Sequence, residues 1–263
     1  MLERLNHAWR LFATALSFTC FGLGGLTLWV VVFPILSLFV RDPQRLSIVA
    51  RGVIHGSFRV FIGLMHQLGI LTYEVRGLEK LQRRGLLILA NHPSLIDVVF
   101  LMAFTDRADC VVKASLVGNP FTRGPVLAAG FICNNVGPGM VEDGVASLRA
   151  GNNLIIFPEG TRTPAAGFPT KLQRGASNVA VRSGVDITPV VIHCTQSMLA
   201  KGTPWWRIPS QKPHFQIEVR DDLPVTLLTE RCANDALAAR RLTDHLTDYF
   251  AMETRRDHRH ANP

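Results

Sequence analysis

Residues 86–97 read Leu86-Leu87-Ile88-Leu89-Ala90-Asn91-His92-Pro93-Ser94-Leu95-Ile96-Asp97. Five apolar residues run unbroken into a polar turn. A short, continuous apolar run bounded by turn chemistry fits a strand buried on both faces, as in a parallel sheet. The apolar stretch 95–104 then reads as a helix. Pro93 suits a helix's first turn, which sets His92 just outside the start and Asp97 about one turn inside. Two residues five apart on a regular helix point ~140° away from each other. His92 on the entering loop escapes that limit, and its ring can turn back to the Asp97 carboxylate. Such a carboxylate fixes the imidazole tautomer and supports the imidazolium formed when the other ring nitrogen takes a proton. This is the base-and-orienter half of a triad with no protein nucleophile, so the attacking oxygen belongs to a substrate.

Outward from this segment the chain alternates. Strand-like runs fall at 71–75, 86–90, 110–112, 131–133, 154–157, 187–193 and 215–219, and helical stretches at 95–104, 139–150 and 172–183. Strands separated by helices predict an α/β domain over 71–263, with a largely parallel sheet flanked by helices. Residues 226–252 read as one helix or two. The polar tail 255–263 reads as frayed, and its His258-x-His260 pair as a solvated end rather than a metal site.

Upstream, residues 11–40 contain no charged side chain. As one helix they would extend ~45 Å, beyond the ~30 Å hydrocarbon core. Gly22-Leu23-Gly24-Gly25 and Pro34 are candidate breaks. A tilted span, a re-entrant hairpin and a helix deep in one leaflet all satisfy the composition. Arginines on both flanks (Arg4 and Arg10; Arg41, Arg45 and Arg51) favour the form that dips in and returns. Residues 46–71 read as an amphipathic helix that either rests on the membrane surface or packs on the first helix. Residues 1–70 are thus expected to be membrane-anchoring helices preceding the α/β domain.

The bulk composition agrees. Of 263 residues, 18% are charged, against a usual share of about 25%, and the net charge is +8. A basic surface attracts phosphates on nucleic acid or on anionic membrane. No zinc-ligand set, heptad or aromatic RNA-binding signature is present, so no nucleic-acid partner is expected. Cys20, Cys110, Cys133, Cys194 and Cys232 are odd in number and widely spaced, which argues for reduced thiols rather than a disulfide framework or a zinc site. A serine-hydrolase elbow fails at Gly175-Ala176-Ser177-Asn178-Val179, where valine fills the closing position. A non-catalytic lipid-binding protein would not need a base and its orienter.

A second polar turn follows the run Leu154-Ile155-Ile156: Phe157-Pro158-Glu159-Gly160-Thr161-Arg162. The carboxyl end of a sheet strand is where open α/β sheets bind ligands. Arg162 offers a fork suited to phosphate, and Glu159 can hold a polyol hydroxyl or orient the arginine.

Together these blocks resemble the glycerolipid, lysophosphatidate-type acyltransferase family. Asn91, His92, Ser94 and Asp97 match its Asn-His-x-Ser-x-x-Asp block. Residues 157–162 match its Phe-Pro-Glu-Gly-Thr-Arg block. Lys113, Leu116, Pro120 and Gly124 agree with its lysine block, and Thr188-Pro189-Val190-Val191 with its fourth. The resemblance implies acyl transfer from acyl-CoA or acyl-carrier protein to a lysolipid hydroxyl, without a covalent enzyme intermediate. It assigns His92 as base and Asp97 as its orienter. Asn91, Ser94, Lys113, Glu159, Gly160, Thr161 and Arg162 are then the substrate-binding set. It implies no metal and no cofactor beyond the thioester co-substrate, with membrane lipids as partners. The setting it implies is a cell inner membrane with the catalytic domain on the cytoplasmic side. One block departs: where the family reads Gly-x-Ile-Phe-Ile-Asp-Arg, this chain has Gly130-Phe131-Ile132-Cys133-Asn134-Asn135-Val136. Valine stands where the family arginine meets the acceptor phosphate.

Overall fold

The computed structural model describes residues 2–134, 139–164 and 171–260. The chain opens with helix α1 (Leu2–Thr27), a wider π turn (Leu28–Val32) and α2 (Phe33–Phe39), which form one continuous rod. No hairpin divides the charge-free run, contrary to the re-entrant form favoured by its flanking arginines. The Gly22–Gly25 stretch stays helical, because intrahelical hydrogen bonding tolerates glycine at modest cost. Pro34, whose ring would clash with the carbonyl four residues before it, is accommodated by the π turn, where the Phe33 amide bonds back to the Leu28 carbonyl. The reversal comes later, at Val40–Asp42. There the Asp42 side chain caps α3 (Pro43–Gln67) by accepting from the Gln44 amide at 2.8 Å.

Helix α3 returns alongside α1. Phe21 packs on Phe58 and Phe61, and the Trp9 indole donates to the Leu68 carbonyl at 3.0 Å. Two of its polar side chains are turned inward. The Arg51 guanidinium is buried on Asp109 at 2.8 Å, and His55 Nδ1 meets the Met102 and Thr105 carbonyls. Val60, by contrast, is exposed. The buried charge thus finds its partner inside the protein, among the buried Ala50, Ile54, Ile62 and Met65 of the same helix, while Arg59 is exposed. Exposed Leu5, Phe12, Leu23, Val30, Leu38 and Phe39 form an outward apolar surface along the first rod. Both Arg4–Phe39 and Pro43–Gln67 are long and apolar enough to cross a membrane.

The α/β part follows as β1 (Thr72–Arg76), β2 (Leu87–Ala90), α4 (Asp97–Phe104), β3 (Ala108–Val112), α5 (Ser115–Gly118), α6 (Pro120–Ala129), β4 (Ile132–Cys133), α7 (Gly139–Arg149), β5 (Asn153–Ile156), α8 (Gly175–Ser183), β6 (Ile187–Cys194), β7 (His214–Val219), α9 (Val225–Thr229) and α10 (Asp235–His260). Helix α10 carries the backbone to His260, into the tail that reads as frayed. The sheet order is β1-β7-β6-β2-β5-β3-β4. β6 and β7 pair antiparallel, and every other neighbouring pair among the described residues is parallel.

Strand β2 is central and buried throughout. Its period of two sends Ile88 and Ala90 into a core shared with α3 and α4, and Leu87 and Leu89 into one shared with α7, α8 and α10. The first of these cores also takes in Ala13, Phe33, Ala50 and Ile54, so the N-terminal helices and the sheet are packed as one body. Helix α6 completes the seam. A Cβ on Gly124 would run into Trp29, and one on Gly25 into the Phe121 carbonyl, so the helix and the N-terminal rod meet at backbone distance.

Candidate active site

Because β2, β3, β5 and β6 run parallel, their carboxyl ends share one edge of the sheet. That edge gathers Asn91 and His92 after β2, Lys113 after β3, the turn 157–162 after β5 and the loop that follows Cys194 after β6.

His92 Nδ1 lies 2.9 Å from Asp97 Oδ2. The same oxygen accepts the Ser94 amide at 2.6 Å. Helix α4 begins at Asp97, not at Pro93: residues 93–96 form a tight turn that brings the carboxylate of the helix's first residue back over the entering chain. Asp97 is fully buried. Burial lifts its carboxyl above the usual range, opposed by the His92 hydrogen bond and charge, the Ser94 amide and the nearby Arg162. With Nδ1–H donated to a carboxylate, Nε2 is left as the acceptor, and among the described residues it has no protein partner. The imidazole also stacks on Phe157, with ring centroids 4.2 Å apart. The ring is therefore held on one edge and one face.

Glu159 locks the two motifs together. Its Oε1 accepts the His92 amide and the Thr163 hydroxyl, each at 2.8 Å. The Thr163 amide in turn donates to the His92 carbonyl at 2.7 Å. Oε2 is buried without a partner among the described residues. Burial raises the Glu159 carboxyl as well, against the pull of Thr163 and His92. Glu159 is thus a strut beneath His92. Its bonded oxygen is occupied by the His92 amide and the Thr163 hydroxyl, and among the described residues Glu159 makes no hydrogen bond to Arg162.

Arg162 reaches elsewhere. One guanidinium nitrogen donates to the Leu199 carbonyl at 2.6 Å and to the Ala200 carbonyl at 3.0 Å. The rest of its fork has no protein partner among the described residues and remains available to an anion. Gly160 sits at φ +67°, which a turn of this shape requires, and a side chain there would press on Gln173. Thr161 is half-buried beside it, and Lys113 is exposed at the same sheet edge.

Asn91 and Ser94 are both engaged by hydrogen bonds within the protein. Both amide ends of Asn91 bond the backbone of Ile192, each at 2.7 Å, which ties the end of β2 to β6. Ser94 is buried, with its hydroxyl accepting the Ile96 amide. They shape the turn that presents His92 and Asp97. Asn135 and Val136 lie outside the described residues. Phe157 opens the second motif but has no role assigned to it from sequence, and Thr163 and Leu199 bear on the site without being named there. Thr163 stands one residue past the second motif, and Leu199 acts through contacts that no local spacing encodes.

A family model for Acyltransferase matches residues 72–193. Over 171 residues the chain is 29% identical to the 1-acyl-sn-glycerol-3-phosphate acyltransferase of Pseudomonas aeruginosa, covering 63% of this chain and 66% of that one. It is 31% identical over 163 residues to the human 1-acyl-sn-glycerol-3-phosphate acyltransferase beta, covering 57% and 54%. The chain therefore aligns with between about half and just under two thirds of these relatives' lengths. Among solved structures, the 1-acyl-sn-glycerophosphate (LPA) acyltransferase PlsC of Thermotoga maritima has the same fold, with a TM-score of 0.64 over 94% of this chain and 97% of that one at 16% identity.

Proposed function

We propose that the chain is a member of the acyltransferase family and that it transfers a fatty acyl group from a thioester to the free hydroxyl of a lysolipid, in phospholipid and membrane-lipid biosynthesis. The observation that carries this reading is the pairing of His92 Nδ1 with a buried Asp97 carboxylate at 2.9 Å, Nε2 being free of protein partners among the described residues. A base so presented, with no hydroxyl or thiol of the protein bonded to it, suits an acceptor that brings its own oxygen.

In this mechanism His92 Nε2 removes the proton of the acceptor hydroxyl as the oxygen attacks the thioester carbonyl. The C–S bond of the resulting tetrahedral adduct then breaks, an ester forms, and the thiolate leaves. The imidazolium is stabilised by Asp97 and returns its proton to the thiolate, so that free thiol departs. Phe157 and Glu159 hold the imidazole and its backbone in place. Arg162, and Lys113 with it, meets the anionic head of the acceptor. The donor is acyl-CoA or acyl-carrier protein, used as co-substrate, and no other cofactor enters the reaction.

The acceptor of the named relatives, 1-acyl-sn-glycerol-3-phosphate, is the first candidate. Val136 favours a second reading, in which the preferred lysolipid has a head less charged than a phosphate monoester: a phosphodiester, or a non-phosphate lipid such as an amino-acid-linked one. A charge-assisted contact absent at that position is worth ~1.5–3 kcal/mol. The exposed apolar surface of α1–α3 supports attachment to a membrane; the reading assigns that membrane as a cell's inner membrane, with the sheet edge on the cytoplasmic side. The test is the purified protein in lipid vesicles supplied with acyl-CoA or acyl-carrier protein and lysophosphatidate, diester or amino-acid lysolipids. Thioester-dependent formation of a diacyl product is expected, and its absence with every acceptor overturns the reading.

A further inference from the structure

The connection between β6 and β7, residues 195–213, is long for an α/β sheet and takes no part in the reaction as proposed. Within it, Met198, Leu199 and Ala200 are buried and turned toward the site. Leu199 and Ala200 receive the Arg162 guanidinium, and the Leu199 carbonyl also accepts the Leu95 amide at 3.3 Å. Leu199 holds a left-handed backbone with φ +54°. A non-glycine residue in that region costs of order 1 kcal/mol or more and persists where its surroundings over-determine it.

The next section has the opposite character. Trp205 and Trp206 are 40% and 60% exposed and pack edge to face, with centroids 5.7 Å apart. Lys201, Arg207 and Lys212 are exposed around them. Two adjacent tryptophans left in water on a soluble surface are a liability, whereas indoles flanked by cations are the usual chemistry of a lipid interface. The position of the loop fits that partner. Trp205 packs against Phe18 of α1 at 5.7 Å, and Arg10 of α1 donates to the Ser210 carbonyl at 2.5 Å. The loop thus lies along the first half of the apolar rod, continuous with the exposed Trp9, Phe12 and Leu16.

We infer that residues 201–212 form a second membrane contact, in which Trp205 and Trp206 enter the head-group region of an anionic bilayer and Lys201, Arg207 and Lys212 meet its phosphates. Through Leu199 and Ala200 the same loop carries the position of the bilayer surface to Arg162 and to the turn beside His92.

The chain has four tryptophans, so a Trp9→Phe/Trp29→Phe protein leaves Trp205 and Trp206 as its reporters. It is reconstituted in vesicles of phosphatidylglycerol and phosphatidylcholine, with phosphatidylcholine brominated on the acyl chains close to the head groups. The expected result is blue-shifted emission that loses intensity to the bromines and resists acrylamide in the water. Should that protein not fold, the native chain compared with a Trp205→Phe/Trp206→Phe variant yields the same quantity by difference. Emission typical of solvated indole, quenched by acrylamide and indifferent to brominated lipid, overturns the inference and leaves this face to water or to a protein partner. The readout involves no acyl transfer, so it stands or falls apart from the proposed reaction.

Discussion

Replacing Asp97 by asparagine separates the two things its carboxylate does. Oδ2 accepts both His92 Nδ1 and the Ser94 amide. A backbone N–H cannot rotate away, so the asparagine oxygen is held where Oδ2 now sits, with the amide nitrogen at the position of the unpartnered Oδ1. The imidazole keeps its tautomer, since Nδ1–H still meets an oxygen. What is lost is the negative charge that stabilises the imidazolium. Charge-assisted hydrogen bonds contribute ~1.5–3 kcal/mol, which corresponds to a fall in kcat of about tenfold to about 150-fold. That is far less than the ~10⁴-fold seen when the equivalent change in a serine-protease triad leaves the wrong tautomer. Because burial already disfavours the charged carboxyl, the variant should unfold at or above the native temperature at neutral pH. Steady-state acyl transfer to one lysolipid at saturating thioester, with a melting curve in the same detergent, measures both. An unchanged kcat removes Asp97 from the mechanism. A fall as deep as that of His92→Ala shows that the Ser94 lock does not hold the amide.

Three further outcomes follow from other contacts. Arg51→Met leaves Asp109 buried with only Ser147 and its neighbouring amide for company, and thermal unfolding should report a loss of ~3–5 kcal/mol; a change within experimental scatter refutes the buried pair. Glu159→Gln keeps the accepting oxygen but does not titrate. A carboxyl raised by burial ionises first in the unfolded chain, so native stability falls as pH climbs from about 4.3 through the folded value. The glutamine variant should therefore gain on the native protein across that window, and parallel melting curves at all pH values contradict it. Val136→Arg should raise kcat/KM for lysophosphatidate by about tenfold or more, the worth of one charge-assisted contact, relative to a diester lysolipid of the same chain in a competition assay; a native preference for lysophosphatidate over diester and amino-acid lysolipids refutes the reading of Val136.

The elements that carry the site were legible because their chemistry is local. Leu86–Ala90 and Leu154–Ile156 are too short and too apolar for anything but buried strands, and each ends in a motif that names its own turn. The His92–Asp97 approach was legible from spacing, although the helix begins at Asp97 instead of enclosing it. Helices α5 and α6 were not, because Pro120, Gly124 and Pro125 look like breakers. In the structure Pro120 opens the helix under an Asn119 cap, and Gly124 serves a close crossing with Trp29. The antiparallel turn of β7 leaves no trace in a run whose alternation is the same in either direction. The inward direction of Arg51 is not legible for a related reason. Periodicity shows that a helix has two faces, but Asp109, which decides where the charged one points, lies 58 residues away. Asn91, Ser94 and Glu159 look like ligand groups in sequence, and spacing does not show their backbone partners: Asn91 bonds Ile192 and Glu159 bonds the His92 amide, both far along the chain, while Ser94 accepts the Ile96 amide within its own turn.

The most direct measurement compares native protein with His92→Ala in the same vesicles, with one thioester and one accepted lysolipid, after melting curves establish that both are folded. Removal of the general base should lower kcat by ~10²–10⁴-fold while thioester binding is retained. A folded His92→Ala protein that acylates the lysolipid at close to the native rate contradicts the account.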